Sequence, residues 1–207
     1  MGMARVSQEH LDARRRQILV GARRCFARNG FHATSMQDVL KEVGLSAGAV
    51  YRYFSGKDAL IDAIAEEAFA VLKEAFDEAA RQSPPPLPDE LLAYVLRKCF
   101  AGTGFDTEQE FGQLVLQVWG ETTRNERLRT RVGEAVSVMR AGWTAVVKDY
   151  QRQGIFPADT TPEFAARTLM GCAMGYITQQ ALFGDLRIVE LQEGLRGVMR
   201  MEVPNAS

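Results

Sequence analysis

The residues best suited to chemistry lie between Ser46 and Phe54, which read Ser46-Ala47-Gly48-Ala49-Val50-Tyr51-Arg52-Tyr53-Phe54. Ser46 is a helix-opening residue, and Val50 and Phe54, four apart, share one face of the helix that follows. Ala47, Gly48, Ala49, Tyr51 and Arg52 then point the other way. A short helix this bare at its start can approach the floor of a DNA major groove closely. That is the chemistry of recognition, not of bond making. The only histidines are His10 and His32, both in the first third of the chain, and no nucleophile motif accompanies them. Gly102-Thr103-Gly104 is too short for a phosphate loop, so an enzyme has little support. Cys25, Cys99 and Cys172 are widely separated and odd in number. They suit neither a disulfide framework nor a paired zinc motif and read as small apolar residues. Neither a metal nor a cofactor is expected.

The charge distribution agrees. Residues 1–60 hold ten Lys and Arg against five acids, a net of +5, which leaves −6 for the remainder. A basic first third on an acidic body points one end at a polyanion, although a solvated helix face would carry the same excess. The run Arg14-Arg15-Arg16 fits either use. Apolar residues at 46% and charged residues at 25% suit a globular protein. No apolar run approaches the roughly 20 residues of a membrane span, and the first residues lack a signal-peptide stretch, so the expected location is the cytoplasm.

The elements that must position these residues read as helices throughout, about nine of them. Leu11, Ile18, Ala22 and Phe26 give a first helix from about Gln8 to Arg28, stopped at Asn29-Gly30. Thr34-Ser35-Met36-Gln37 has capping-box spacing and opens a second helix, which runs to Val43 and ends at Gly44. Ser46 caps a third helix through Phe54. Val39, Leu40, Val43, Leu45, Val50 and Phe54 are placed to pack inward, so two short helices meet across Gly44-Leu45-Ser46 as a helix-turn-helix. A fourth helix follows from about Lys57 to Arg81, and Ser83-Pro84-Pro85-Pro86-Leu87-Pro88 cannot stay helical. Later helices are read over about 89–101, 108–123, 126–153 and 162–183, then from about Arg187.

Three segments carry a family resemblance: Gly30-Phe31-His32-Ala33-Thr34-Ser35-Met36-Gln37-Asp38-Val39, Gly44 through Phe54, and Lys57-Asp58-Ala59-Leu60. Together they resemble the N-terminal domain of TetR-family transcriptional regulators, over roughly the first 65 residues. The resemblance implies an all-α fold: a helix-turn-helix domain over 1–56, and a helical effector-binding and dimerisation domain over 57–207. The fourth helix, about 57–81, is the lever between them. It also implies that Tyr53 and Lys57 contact phosphates and that Ser35 meets one at the start of the second helix. Ser46, Ala47, Gly48, Ala49, Tyr51 and Arg52 are set at the bases, with Arg52 as the guanine reader because its fork matches the O6/N7 pair. Tyr51 and Tyr53 are equally suited to half-buried packing. Met36 and Ala47 are apolar where relatives often carry polar readers, which shifts weight to methyl packing and DNA shape.

The same resemblance makes the body a dimer interface and an effector pocket, and hence the protein most readily a repressor released from double-stranded operator DNA by a small molecule. Phe100, Phe111, Trp119, Met139, Trp143, Met174 and Tyr176 are large or soft residues of the kind that line apolar cavities, and Gln117 offers a polar group. The expected effector is therefore apolar or aromatic, although most of these residues must also be core. Gly171 and Gly175, with Ile177 and Leu182 on the same helix, are candidates for a homodimer interface. Small residues four apart serve equally as a packing seam within one chain. A regulator with no small-molecule effector is the alternative, and tight packing around Trp119 and Trp143 would favour it.

Overall fold

The computed structural model describes residues 8–82 and 86–199 and shows nine α-helices and no strand among them. Ser83-Pro84-Pro85, read above as a non-helical link, lies outside the described residues. The helices are α1 (Gln8–Asn29), α2 (Met36–Val43), α3 (Ala47–Tyr51), α4 (Lys57–Ala80), α5 (Pro88–Ala101), α6 (Glu108–Glu121), α7 (Glu126–Arg152), α8 (Pro162–Phe183) and α9 (Ile188–Met199). Most bounds fall within a residue or two of the sequence reading, as frayed helix ends allow. No helix among the described residues is long and apolar enough to cross a membrane.

Two ends differ in a way that matters. The capping box of α2 is built on Ser35 and Asp38, one residue later than Thr34 and Gln37. Thr34 is instead fully buried, its hydroxyl donating to the carbonyls of Gly30 (2.8 Å) and Cys25 (3.2 Å), so it closes the turn after α1. α3 ends as a regular helix at Tyr51 rather than Phe54. The amides of Tyr53 and Phe54 still reach the Val50 carbonyl, at 2.9 and 3.1 Å, so the chain stays coiled to Phe54.

Two apolar cores organise the chain. The first gathers Ile18, Leu19, Ala22 and Phe26 of α1 with Val39, Val43, Val50 and Phe54. Phe105, Leu114 and Leu128 from the body complete it. The second is built from the far half of α4 with α5, α7, α8 and α9, around Trp143, Val147 and Leu169. α4 belongs to both, giving Leu60, Ile61 and Ala63 to one and Leu72, Ala75, Phe76 and Ala79 to the other. Its 24 residues span about 36 Å. A shift of its far end therefore reaches the first core through a continuous rod.

Candidate nucleic-acid interface

The reading unit is fixed from within. Gly44 takes the left-handed conformation (φ 65°), and the amides of Gly44 and Leu45 turn back to the carbonyls of Lys41 and Leu40, each at 3.3 Å. This Schellman stop turns the chain sharply enough for α3 to begin three residues later. Ser46 caps α3 by accepting from the Ala49 amide at 3.3 Å. Gln17 of α1 donates to the last carbonyl of α2, Val43, at 2.9 Å, and Val39, Val43, Val50 and Phe54 are buried. Leu40 and Leu45 pack at the edge of the same core. The inward set therefore matches the sequence reading.

The outward set is equally plain. Ser46, Ala47, Gly48 and Arg52 are exposed, Ala49 is partly so, and Tyr51 is 49% exposed. A Cβ added at Gly48 would meet nothing within 4 Å. Arg52 has no hydrogen bond or ion pair among the described residues, which leaves its guanidinium free for an outside acceptor. Tyr53 is half-buried against the core. Ser35 is exposed at the N-terminus of α2, but its hydroxyl donates to Asp38 Oδ2 at 2.6 Å and its amide to the same oxygen at 2.8 Å. These bonds hold the Asp38 carboxyl below its usual range. A phosphate at this end is thereby left the first free amides of the helix, those of Met36 and Gln37.

Lys57 is placed otherwise than a free phosphate ligand. Its ammonium donates to the carbonyls of Phe31 (2.8 Å) and Thr34 (3.1 Å) and lies 4.5 Å from the Phe31 ring centre. Two of its three donors thus hold the α1–α2 loop, and one remains for a phosphate. The same loop meets the body through His32, whose Nε2 lies 2.8 Å from the buried Glu121 carboxylate at the end of α6. Of the arginine run, Arg15 pairs with Glu67 at 3.0 Å and covers the Phe54 ring, and Arg14 bonds to Gln17. Arg16 alone stays exposed with no such partner among the described residues. Arg23, buried, pairs with Glu67 and donates to the Thr103 carbonyl, tying α1 to α4 and to the loop before α6.

The residues expected to form one pocket do not lie together. Trp143 is fully buried and packs edge-on against Phe76 at 5.4 Å, while Trp119 stands on the surface of α6. A Cβ at Gly142 would come within 2.8 Å of the Phe76 ring, so α4 and α7 are in close contact and nothing wedges between them. Met139 packs on the same core, and Met174 is only partly buried. The wedge expected beside Trp119 and Trp143 is therefore corrected: large aromatics at this seam fill it. Phe100, Phe111 and Tyr176 instead line a narrow apolar cleft between α5, α6, α8 and α9, with Leu96, Glu108 and Gln180, barely large enough for one water. There the Tyr176 hydroxyl donates to Glu108 at 2.5 Å. Burial first, and that carboxylate second, hold the phenol well above its usual range. Gln117 lines a second crevice, between α1, α4, α6 and α7.

On α8, a Cβ at Gly171 or Gly175 would meet nothing within 4 Å. No helix of the same chain packs there, which removes the intrachain seam left open by the sequence. Phe164, Leu182 and Phe183 on the same helix are 61–69% exposed, an unusual display of apolar surface. Ile177 is different. It packs against the second core and lines the α5–α9 cleft, so its place on an outer face is corrected.

Sequence reasoning missed Asp38, Glu121 and Glu108. Asp38 stands three residues after Ser35 and could have been found from the capping-box rule itself. Glu121 and Glu108 gain their partners only through the tertiary fold, and no local signal marks them. Among the described residues no cluster of His, Cys, Asp and Glu could hold a metal ion.

The helix-turn-helix head, its bare reading helix and the all-helical body define a DNA-binding transcriptional regulator. The sequence pattern of bacterial regulatory proteins of the tetR family matches residues 18–64. The HTH-type transcriptional repressor Rv1474c of Mycobacterium tuberculosis is 49% identical over 65 residues, 31% of this chain and 35% of that protein. The match thus spans about a third of that relative. The HTH-type transcriptional regulator UidR of Escherichia coli is 25% identical over 194 residues, covering 93% of this chain and 94% of its own. Among solved structures, Salmonella enterica GusR superposes with a TM-score of 0.71 at 28% identity, covering 95% of this chain and all of the other. The fold is also that of the Bacillus subtilis regulator FadR, solved with stearoyl-CoA, at a TM-score of 0.71 and 18% identity over 88% of this chain and 96% of that one. The chain belongs to the TetR family of transcriptional regulators. Its relatives are named as regulators of transcription, not as enzymes.

Proposed function

We propose that this regulator is a homodimeric repressor that holds a roughly palindromic operator with paired α3 helices and is released by a small, largely apolar effector. Residues 1–56 are the reading head, residues 57–207 the effector-binding and dimerisation body, and α4 the lever between them. The observation that carries the reading is the exposed edge Ala47-Gly48-Ala49 beside the unpartnered Arg52, on a helix whose other face is pinned by Val50 and Phe54. Arg52 reads a guanine and Ala47 packs on a thymine methyl. The free amides of α2, the third donor of Lys57 and Tyr53 hold phosphates. A protein that works on chromosomal DNA works in the cytoplasm.

Dimerisation rests on the open α8 face at Gly171, Gly175 and Leu182, which suits close approach of a second α8. One helix-turn-helix reaches one half-site, and two-fold symmetry supplies the other. The effector reading rests on the cleft of Phe100, Phe111 and Tyr176, whose apolar walls and single Glu108–Tyr176 pair suit an apolar molecule carrying one hydrogen-bond donor. FadR, with the same fold, was solved with stearoyl-CoA. The filled α4–α7 contact favours a second reading: a dimer with no small-molecule effector, constitutive or governed by a protein partner. A screen separates the two. Small molecules are tested for release of the full-length protein from its selected operator, and any hit is titrated calorimetrically with and without that operator. A releasing ligand must bind more weakly in the presence of DNA by the factor with which it weakens DNA binding. The absence of any releasing molecule would leave the second reading.

A further inference from the structure

The turn between α6 and α7 and the start of α7 read Thr122-Thr123-Arg124-Asn125-Glu126-Arg127-Leu128-Arg129-Thr130-Arg131. Four arginines stand there against one acid, in a body that is otherwise net acidic. Their position is fixed by what lies beneath them. Leu128 is buried in the core that α1, α2 and α3 share, and it lines one crevice with Phe31 and Glu121. Glu121 is paired with His32, and Lys57 lies over the Phe31 ring. Residues 31–34 lead directly into Ser35. The α6–α7 turn is therefore fastened beside the edge of the head that holds Ser35 and Lys57.

The four arginines are not equally occupied. Arg127 pairs with Asp62 of α4, and Arg131 sits between Asp62 (3.8 Å) and Glu134 (3.2 Å), so these two dock α7 on α4. Arg129 has only an exposed pair with Glu126 at 3.0 Å, of a kind worth little in water. Arg124 is exposed and has no ion pair or hydrogen bond among the described residues.

We propose that Arg124 and Arg129 form a second phosphate-binding surface, which holds the DNA backbone just outside the base pairs read by α3. The proposal rests on α3 being the reading helix. Charge complementarity selects the occupant. Two available guanidinium groups on the same side as the head's phosphate-facing edge match a polyanion that runs past that edge. Each phosphate so neutralised releases counterions and adds affinity without sequence preference. An acidic protein surface is the competing occupant, and the test separates it.

Full-length protein is titrated by fluorescence anisotropy against two duplexes. One is the core site enriched from random DNA, and the other is the same site extended by about 10 bp, one helical turn, on each side. Wild type is expected to bind the extended duplex several-fold more tightly than the core. The double variant Arg124→Ala/Arg129→Ala should lose that advantage while keeping its affinity for the core. Its salt slope on the extended duplex should be shallower by about two units, one for each lost phosphate contact. Arg124→Lys/Arg129→Lys should restore the slope. Both residues are exposed, so an unchanged thermal midpoint verifies the fold. Equal affinity of wild type and double variant for the extended duplex, or an equal loss on both duplexes, would overturn the proposal and leave an acidic partner as the use of this patch. Failure of wild type to bind the core would overturn the reading of α3 and this proposal with it.

Discussion

His32 Nε2 lies 2.8 Å from the carboxylate of Glu121, and this pair joins the loop that leads into α2 to the last turn of α6. The two partners are unequal: Glu121 is 6% exposed, whereas the His32 side chain is 65% exposed. Removing the histidine leaves a buried acceptor without its donor, which costs about 1–3 kcal/mol. His32→Ala should therefore lower stability by that order, and His32→Gln, which keeps a donor, should recover part of it. Thermal unfolding of the three proteins checks this. Equal midpoints would show that water replaces His32 at no cost and that the pair does not join head to body.

Lys57 supports the same loop from the other side. Lys57→Ala removes two hydrogen bonds to the Phe31 and Thr34 carbonyls and the contact with the Phe31 ring. Hydrogen bonds to charged groups contribute about 1.5–3 kcal/mol each when poorly solvated, so the thermal midpoint should fall. Operator affinity should fall alike for all sequences, with a salt slope shallower by about one unit if the third donor meets a phosphate. An unchanged midpoint with the same loss of slope would make Lys57 a phosphate ligand alone.

Arg52 should behave in the opposite way. It has no partner within the chain, so Arg52→Ala should leave stability unchanged, cost about 1–3 kcal/mol of operator binding and relax preference at one base pair. Binding to a library of single-base operator variants distinguishes the roles. An even loss across the library would assign Arg52 to the backbone.

The α8 face supplies a separate prediction. Leu182 is 61% exposed on the side of α8 that Gly171 and Gly175 leave open. Leu182→Glu should shift sedimentation from dimer toward monomer and weaken operator binding, because each half-site then binds alone. Ile177→Ala, on the inner face, should instead cost stability of the order of 2–5 kcal/mol where burial is complete and less here, without changing the oligomer. Unchanged sedimentation of Leu182→Glu would move the interface off this face.

Much of the head was legible in the sequence because its signals are local. The inward residues of α2 and α3, the Gly44 stop and the Ser46 cap follow from periodicity and cap chemistry within about twenty residues. The slip from Ser35 to Thr34 came from two adjacent hydroxyl residues with equal capping chemistry. Only the fold shows that Thr34 is buried between the Gly30 and Cys25 carbonyls. In the body, composition identified large residues but not their neighbours. Trp143 and Trp119 look alike in sequence, yet one fills the α4–α7 contact and the other faces solvent. Likewise Ile177 and Leu182 are both apolar on one helix, and only the packing of α5 and α6 against α8 decides which is covered.

The most direct test of the central claim is selection of duplexes from random DNA by the full-length protein, followed by sedimentation of the complex on the winning sequence. The account predicts a sequence with two inverted half-sites, one helical turn or a small multiple apart, bound by two protomers or by a pair of dimers. A single unrepeated half-site held tightly by one protomer, or no enrichment at all, would contradict it.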